Sequence, residues 1–146
     1  MKYMTDTKDI FLADSNILIY AYEKTPSPEQ KKAEDLIARC WASKIRLAVS
    51  IQNLAEFAYV AVKKSKLSFD ESRVFVEDIA NFNGFAKISY SPLTVISAIE
   101  ISKKYKMSFW DSLISATMIE NRIFNIYTEN TRDFKVPGIN AVNPLK

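Results

Sequence analysis

Ile10-Phe11-Leu12-Ala13-Asp14-Ser15-Asn16 is the stretch that decides the fold, because four apolar residues are followed at once by three polar ones. A short apolar run of this kind is typical of a strand that is buried on both faces. The mostly apolar residues 17–22 that follow predict a helix. The stretch therefore predicts a strand that ends at Asp14 and leads directly into a helix.

The same alternation continues along the chain. Further strands are predicted at residues 46–50, 86–90, 125–128 and 139–142, the last of them a short edge strand. Helices are predicted to start near Pro28, Ser50, Ser68, Pro92 and Ser108. Short apolar strands between longer helices indicate an α/β protein with a mainly parallel sheet of four to five strands. Because no linker or repeat divides the sequence, we expect a single domain over residues 1–146.

Absent residue types exclude several kinds of catalytic site. The chain has no histidine, so a Ser-His-Asp triad, a histidine-based ribonuclease and an imidazole-ligated zinc site are excluded. The single cysteine, Cys40, lies in a helical stripe and is expected to be a buried structural thiol. With only two glycines, a P-loop or a GxGxxG nucleotide-binding loop is not expected.

The sequence offers no apolar run of the roughly 18 residues that would predict a membrane span. Residues 1–9 are polar and lack the apolar stretch of a secretory signal. We therefore expect a cytoplasmic protein without membrane association. The formal net charge of +3 is a modest excess that does not by itself indicate an anionic partner.

Acidic and amide side chains follow the predicted strands. They are Asp14, Glu56, Asp111, Asn130 and Asp133. Functional groups in parallel sheets gather beyond the carboxyl ends of the strands, so these side chains are expected to meet at one edge. Carboxylate oxygens suit Mg²⁺ or Mn²⁺, which activate bound water and neutralise charge on phosphate without any histidine.

Each of these acids also has a structural explanation. Asp14 can be the N-cap of the helix that it precedes, and Asp111 can be a first-turn acid. Glu56 interrupts an apolar helix, so its carboxylate either faces solvent or is buried with a partner. Each of these acids, taken alone, therefore fits a structural interpretation as well as a functional one.

Four stretches of sequence together resemble the PIN domain, and most closely the VapC-type toxins of prokaryotic toxin–antitoxin pairs. They are Phe11-Leu12-Ala13-Asp14-Ser15-Asn16-Ile17-Leu18, Ser50-Ile51-Gln52-Asn53-Leu54-Ala55-Glu56-Phe57, Met107-Ser108-Phe109-Trp110-Asp111-Ser112-Leu113-Ile114-Ser115-Ala116 and Ile126-Tyr127-Thr128-Glu129-Asn130-Thr131-Arg132-Asp133-Phe134. They occur in the order that the family has and span nearly the whole chain.

The resemblance implies a three-layer α/β fold with a central parallel sheet and an endoribonuclease that cleaves structured RNA such as tRNA or rRNA. It also implies Asp14 and Asp111 as the main ligands of Mg²⁺ or Mn²⁺, with Glu56 completing this catalytic site. Thr128 matches the family threonine that follows the fourth strand. An antitoxin protein and a second copy of the chain, forming a homodimer, are the implied protein partners.

One position departs from the family pattern. Many relatives carry a fourth acid two residues after the threonine, where this chain has Asn130. An amide oxygen can bind a hard cation but adds no negative charge, so a second metal ion would bind weakly or only with substrate. Asp133 can substitute for the missing acid, and it can equally be a turn or helix-cap residue.

Basic and aromatic residues near these stretches remain open to two interpretations. Lysines at residues 63–66 and 103–106 can hold an RNA backbone, or they can be solvated ends of helices. Phe109 and Trp110 are expected in the core rather than as a platform for base stacking. Two further functions stay open: a PIN nuclease of RNA processing or DNA cleavage without an antitoxin, and a catalytically weak module that binds RNA or protein.

Overall fold

A computed structural model describes residues 10–146. Its strands are β1 (Phe11–Ala13), β2 (Leu47–Ser50), β3 (Phe85–Ile88), β4 (Asn125–Tyr127) and β5 (Asn140–Val142). Its helices are α1 (Ser15–Tyr22), α2 (Pro28–Trp41), α3 (Ile51–Lys63), α4 (Phe69–Asn81), α5 (Pro92–Tyr105) and α6 (Phe109–Glu120). The polar residues 1–9, on which the expectation of a missing secretory signal rests, lie outside the described residues.

The five strands form one sheet in the order β3-β2-β1-β4-β5, and every neighbouring pair is parallel. All carboxyl ends therefore lie at the same edge of the sheet, and β1 is the central strand. This arrangement confirms the predicted α/β fold with a central parallel sheet. Residues 139–142 were predicted as an edge strand, which β5 confirms.

Helices cover both faces of the sheet, which gives three layers. On one face Ala13, Leu47 and Val49 pack against buried side chains of α1 to α4, such as Phe57 and Ile79. On the other face Leu12, Ala48 and Ile126 pack against Ile114 and Met118 of α6. Successive strand residues point to opposite faces, so a strand between two helical layers must be apolar throughout. That requirement explains the uninterrupted apolar runs of the sequence.

Several local predictions are confirmed in detail. Cys40 is fully buried, as predicted for a structural thiol. The Ser68 side chain accepts from the Glu71 backbone at 3.0 Å, and the Glu71 carboxylate accepts from the Ser68 backbone at 3.0 Å, which completes a capping box. Helix α1, however, begins at Ser15 and so directly after Asp14.

The prediction that Trp110 belongs to the core is wrong. Phe109 packs against the buried contact between α5 and α6, but the Trp110 side chain is 60% exposed. Phe109 and Trp110 are adjacent residues of α6, which packs one face against α5, so their side chains point in different directions. None of the helices in the described part of the chain is long and apolar enough to cross a membrane.

Candidate functional site

Asp14 lies at the centre of the sheet edge, directly after β1, and only 6% of the residue is exposed. It is the N-cap of α1, because its Oδ1 accepts a hydrogen bond from the Ser15 backbone at 2.8 Å. The structural interpretation of Asp14 is therefore confirmed. The capping bond uses part of one carboxylate oxygen only, so it does not explain the further contacts of this side chain.

Side chains that follow each of the two neighbouring strands also donate hydrogen bonds to the Asp14 carboxylate. The Thr128 hydroxyl, directly after β4, donates to Oδ2 at 2.8 Å. The Asn53 amide, on the helix that follows β2, donates to Oδ1 at 3.2 Å. The Asn16 amide makes a longer contact with Oδ2 at 3.5 Å. Donors from three separate parts of the chain thus fix the orientation of one buried carboxylate.

Asn53 is in turn held by the end of β2. The Ser50 hydroxyl donates to Asn53 Oδ1 at 2.7 Å, and the Asn53 backbone donates to Ser50 Oγ at 2.9 Å. Both residues are buried. Sequence reasoning identified Ser50 as a helix cap and missed Asn53. The available signal was the spacing of three residues, because a polar residue at that position of the first turn can close a capping box.

The loop after β4 is tied to α1 on the other side of Asp14. The Asn130 backbone donates to Thr128 Oγ1 at 3.1 Å, and the Glu129 backbone donates to Asn16 Oδ1 at 3.3 Å. The Tyr20 hydroxyl donates to the Glu129 carboxylate at 2.8 Å, which raises the pKa of Tyr20 to about 12. Asn130 is thereby held next to Thr128 through its backbone, while the residue as a whole is exposed.

Glu56 follows Asn53 by one helical turn and is half-buried. Its Oε1 is buried without a hydrogen-bond partner among residues 10–146. Burial raises the pKa of this carboxyl, and the charge of Asp14 raises it further, while the amides of Gln52 and Asn53 partly offset both effects. Of the two expectations for Glu56, the solvent-facing one is wrong for this oxygen atom.

Asp111 lies in the first turn of α6 and is half-buried. Its backbone donates to Ser108 Oγ at 3.1 Å, and the Ser108 hydroxyl donates to Oδ2 at 3.0 Å. Burial raises the pKa of Asp111, the bond from Ser108 opposes that rise, and the charge of Asp133 adds to it. Asp133 itself is exposed and lies in the short 3₁₀ helix Thr131–Asp133.

The pKa of Asp14 depends on the charges of the neighbouring acids. Burial raises it most, the bonds from Thr128 and Ser15 lower it, and the charges of Asp111 and Asp133 raise it again. The acids predicted to meet at one edge therefore lie within each other's electrostatic field. A positive charge at this edge would relieve both the repulsion and the cost of burial.

The acids nevertheless form an open arrangement. Among residues 10–146, no three acidic side chains are close enough to hold one ion between them. An ion at this edge would need one or two carboxylates together with neutral oxygens and water, which is the usual way that proteins bind Mg²⁺. The donor set fits such an ion, because it contains only oxygen ligands and includes the unpartnered Glu56 Oε1.

Gln52 is a second residue that the sequence analysis missed. It is 8% exposed and lies one turn before Glu56 on α3. Its Nε2 donates to the backbone oxygen of Trp110 at 3.0 Å, which joins α3 to the first turn of α6 beside Asp111. The only signal in the sequence was a polar residue four positions before Glu56, which a helix places on the same face.

An apolar groove of about 620 Å³ runs between α3 and α4, and none of the acids described above lines it. Its apolar walls come from Tyr59, Val62, Phe69 and Val76. Lys63 and Arg73 also line it, but Lys63 donates to the Tyr59 hydroxyl at 2.9 Å and Arg73 pairs with Glu77 at 3.2 Å. The groove is thus a largely apolar surface that is separate from the carboxylates.

Comparisons with solved structures give three similar chains of known context. A toxin–antitoxin complex from Klebsiella pneumoniae contains a chain that is 26% identical, with a TM-score of 0.63 over 92% of this chain and 97% of that one. The toxin VapC20 of Mycobacterium tuberculosis, which cleaves the sarcin–ricin loop, is 18% identical, with a TM-score of 0.67 over 89% and 95%. VapBC2 of Rickettsia felis, bound to a DNA fragment from its promoter, is 21% identical, with a TM-score of 0.64 over 92% and 98%.

The last two chains show the shared fold, since their sequence identity is low. No curated protein sequence matches the chain. The family model of the PIN domain matches residues 11–139. That match begins at β1 and runs past all the acids described above to the start of β5, and the chain therefore belongs to the PIN domain family.

Proposed function

We propose that the chain is a metal-dependent endoribonuclease and the toxin of a toxin–antitoxin pair. One observation carries the proposal: Asp14, Glu56 and Asp111 come from three distant parts of the chain and lie at one edge of the sheet, where the charge of Asp111 raises the pKa of Asp14 and the charges of both raise the pKa of Glu56. A set of buried, mutually repelling carboxylates costs stability unless it serves a cation or a reaction. The family membership of the chain supports a nuclease.

In this proposal Asp14 and Asp111 hold Mg²⁺ or Mn²⁺, and Glu56 completes the site. The bound ion supplies a water molecule of lowered pKa and neutralises charge on the phosphodiester. Thr128 and Asn53 orient the Asp14 carboxylate, because both donate hydrogen bonds to it, and the bond from Thr128 also lowers the pKa of Asp14. Asn130 and Asp133 flank the site from the loop after β4, where Asp133 contributes negative charge.

Structured RNA such as tRNA or rRNA is the proposed substrate. Lys103, Lys104 and Lys106 are exposed immediately before the helix that carries Asp111. Lys135 lies beside them, since its ammonium donates to the backbone oxygen of Lys106 at 3.2 Å. Exposed ammonium groups next to an acidic centre can bind the phosphates on either side of a cleaved bond. The RNA-cleaving activity of VapC20 supports the same class of substrate.

An antitoxin is the proposed protein partner, which the toxin–antitoxin complex from Klebsiella pneumoniae supports at 26% identity. We propose that the groove between α3 and α4 receives the apolar face of an antitoxin helix. Both cations that line the groove already have a partner, since Lys63 donates to the Tyr59 hydroxyl and Arg73 pairs with Glu77, so an apolar segment can fill the groove without supplying a charge of its own. A basic antitoxin side chain is then expected to cover the acidic edge.

A second copy of the chain is proposed to cover the outer side of α5. Leu93, Ile96 and Ile99 are 72%, 53% and 56% exposed. Because α5 packs mainly on α6, its outer side has no neighbouring layer among residues 10–146. Contiguous exposed apolar side chains of this kind commonly mark an interface, and two-fold dimers are the commonest such assembly.

The activity itself gives the first prediction. Purified protein should cleave structured cellular RNA with Mg²⁺ or Mn²⁺ and not with EDTA. Asp111→Asn should reduce the rate by more than about 100-fold, because even the partners of metal ligands typically contribute about 10–100-fold. Asp35→Asn, which removes an exposed acid from α2, is the matched control and should cleave like wild type. Metal-dependent cleavage of DNA but not RNA would favour the alternative DNA nuclease, and normal cleavage by Asp111→Asn would refute the site.

Stability without metal gives the second prediction. Because burial raises the folded-state pKa of Glu56 above the ordinary glutamate value of 4.5, the stabilising contribution of the protonated carboxyl is fully present below that value. This contribution is lost as the pH rises through the folded-state pKa. Glutamine at this position is neutral at every pH, so in EDTA Glu56→Gln avoids the cost of the buried charge and should unfold at a higher temperature than wild type at pH 7. This advantage should disappear near pH 4, where the wild-type carboxyl is protonated as well.

Bound metal should reverse the order of the two unfolding temperatures, because an ion that binds only the folded state stabilises that state. Mn²⁺ should therefore raise the unfolding temperature of wild type more than that of Glu56→Gln. Glu100→Gln removes one carboxylate from an exposed position of α5 and controls for net charge. If Glu56→Gln is less stable than wild type in EDTA at pH 7, burial does not raise the pKa of Glu56 and this prediction is wrong.

The antitoxin gives the third prediction. Expression of the chain alone should arrest bacterial growth, and co-expression of the proposed antitoxin should restore growth. Val76→Asp places a charge in the groove and should keep the toxicity while preventing the rescue. Val74→Asp, on an exposed position of the same helix outside the groove lining, is the matched control and should be rescued. Equal rescue of both variants would exclude the groove as the antitoxin site.

The oligomeric state gives the fourth prediction. Light scattering after size-exclusion chromatography should give twice the monomer mass for wild type. Ile96→Lys should shift the protein to monomers, because it buries an unpaired ammonium in the proposed interface. Val74→Lys, at a similarly exposed position of α4, should stay dimeric. A wild-type monomer at all tested concentrations would refute the dimer without affecting the proposed nuclease site.

A further inference from the structure

The exposed indole of Trp110 belongs to the first turn of α6, directly before Asp111. The residue is 60% exposed, so it forgoes most of the stabilisation that a buried tryptophan gives. Single exposed apolar side chains are common on protein surfaces. The position and the surroundings of this one must therefore decide whether it has a ligand.

The packing of α6 places Trp110 at the carboxyl edge of the sheet. Trp110, Ile114 and Met118 are spaced by four residues, so they lie along one side of the helix. Ile114 and Met118 pack against the strands. Trp110 lies one turn nearer the start of the helix, and a helical side chain leans towards that end. The indole therefore extends past the ends of the strands, at the edge that carries the acids, which explains its exposure.

Contacts on two sides hold Trp110 in this position. The Gln52 amide, on the helix that follows β2, donates to the Trp110 backbone oxygen at 3.0 Å. The Phe109 and Trp110 rings are 5.1 Å apart and nearly perpendicular, at 76°. A perpendicular contact covers at most one of the two faces of the indole. A flat apolar face thus stays open to solvent on a backbone that α3 fixes.

The nearby charges favour a nucleic acid over a protein as the occupant of this face. The basic residues are Lys103, Lys104 and Lys106, which precede α6, and Lys135, which donates to the Lys106 backbone. None of them forms an ion pair with another of residues 10–146. An apolar protein surface would cover the indole and leave these ammonium groups without partners. RNA supplies phosphates for the ammonium groups and bases for the indole.

We propose that Trp110 stacks on an unpaired base of the RNA substrate beside the cleaved bond, while the neighbouring lysines bind the phosphates. The proposal rests on the RNA substrate of the proposed function and adds a base-binding residue to it. Stacking requires a base with a free face, so the RNA must present a loop or another unstacked nucleotide at the acidic edge. Every base has such a face, and Trp110 therefore contributes affinity and position rather than base identity.

Binding of a short labelled oligoadenosine in EDTA tests the proposal without metal-dependent cleavage. Fluorescence anisotropy gives the dissociation constant, and thermal unfolding shows that each variant is folded. Trp110→Leu should weaken binding on the order of 10-fold or more. Trp110→Phe keeps an aromatic face and should bind more tightly than Trp110→Leu. Phe124→Leu removes a 41% exposed ring just before β4, at the opposite edge of the sheet, and should bind like wild type.

Two further measurements separate stacking from phosphate binding. An oligonucleotide of the same length without bases carries the phosphates alone, so wild type and Trp110→Leu should bind it equally. Oligoadenosine should also quench the tryptophan fluorescence of wild type but not that of Trp110→Phe. The tryptophan that remains in this variant, Trp41, packs against Phe82 and Phe85 in another part of the molecule.

Equal affinity of wild type and Trp110→Leu for oligoadenosine would overturn the proposal and leave the nuclease intact. If Trp110→Leu instead becomes monomeric or is not rescued by the antitoxin, a protein covers the indole. An equal loss of affinity for the oligonucleotide without bases would assign the effect to the phosphates, which also overturns the proposal. Trp110-dependent binding by a protein that cleaves no RNA would refute the nuclease and keep the base-binding residue. Absence of RNA binding by wild type would refute both.

Discussion

The buried carboxylate of Asp14 is the constraint on which the rest of the site depends. Burial raises the pKa of this group, the bonds from Thr128 and Ser15 oppose that rise, and Asn53 donates a further hydrogen bond. Thr128 and Asn53 can reach Asp14 only because β2, β1 and β4 are neighbours in a parallel sheet and end at the same edge. The topology of the sheet thus determines the chemistry that is possible at Asp14.

The surrounding contacts extend this constraint outward. Ser50 holds Asn53, and the loop after β4 is fastened to α1 through Asn16 and Tyr20. Gln52 joins the helix of Glu56 to that of Asp111. The carboxylates are therefore carried by elements that are connected to each other by hydrogen bonds. Such connections keep repelling groups in place where unconnected side chains would turn towards solvent.

The sequence predicted the elements well because buried parallel strands must be apolar on both faces. Residues 10–13 showed this pattern, and the polar residues after them marked the carboxyl end of β1. The sequence could not predict Gln52 and Asn53, whose roles depend on contacts with Trp110 and Asp14 that are distant along the chain. It also misplaced Trp110, since an apolar residue on an outer helix can face solvent or a partner equally well.

The central proposal is that Asp14 and Asp111 hold a divalent cation at the carboxyl edge of the sheet, with Glu56 beside it and with neutral oxygen atoms and water as the remaining ligands. Crystals grown with Mn²⁺ test it most directly, because the anomalous scattering of the ion locates it without any assumption about activity. The account predicts a Mn²⁺ peak within ligand distance of Asp14 and Asp111, on the side of Glu56. A fully occupied Mn²⁺ elsewhere on the molecule, with this edge left without a peak, would contradict it.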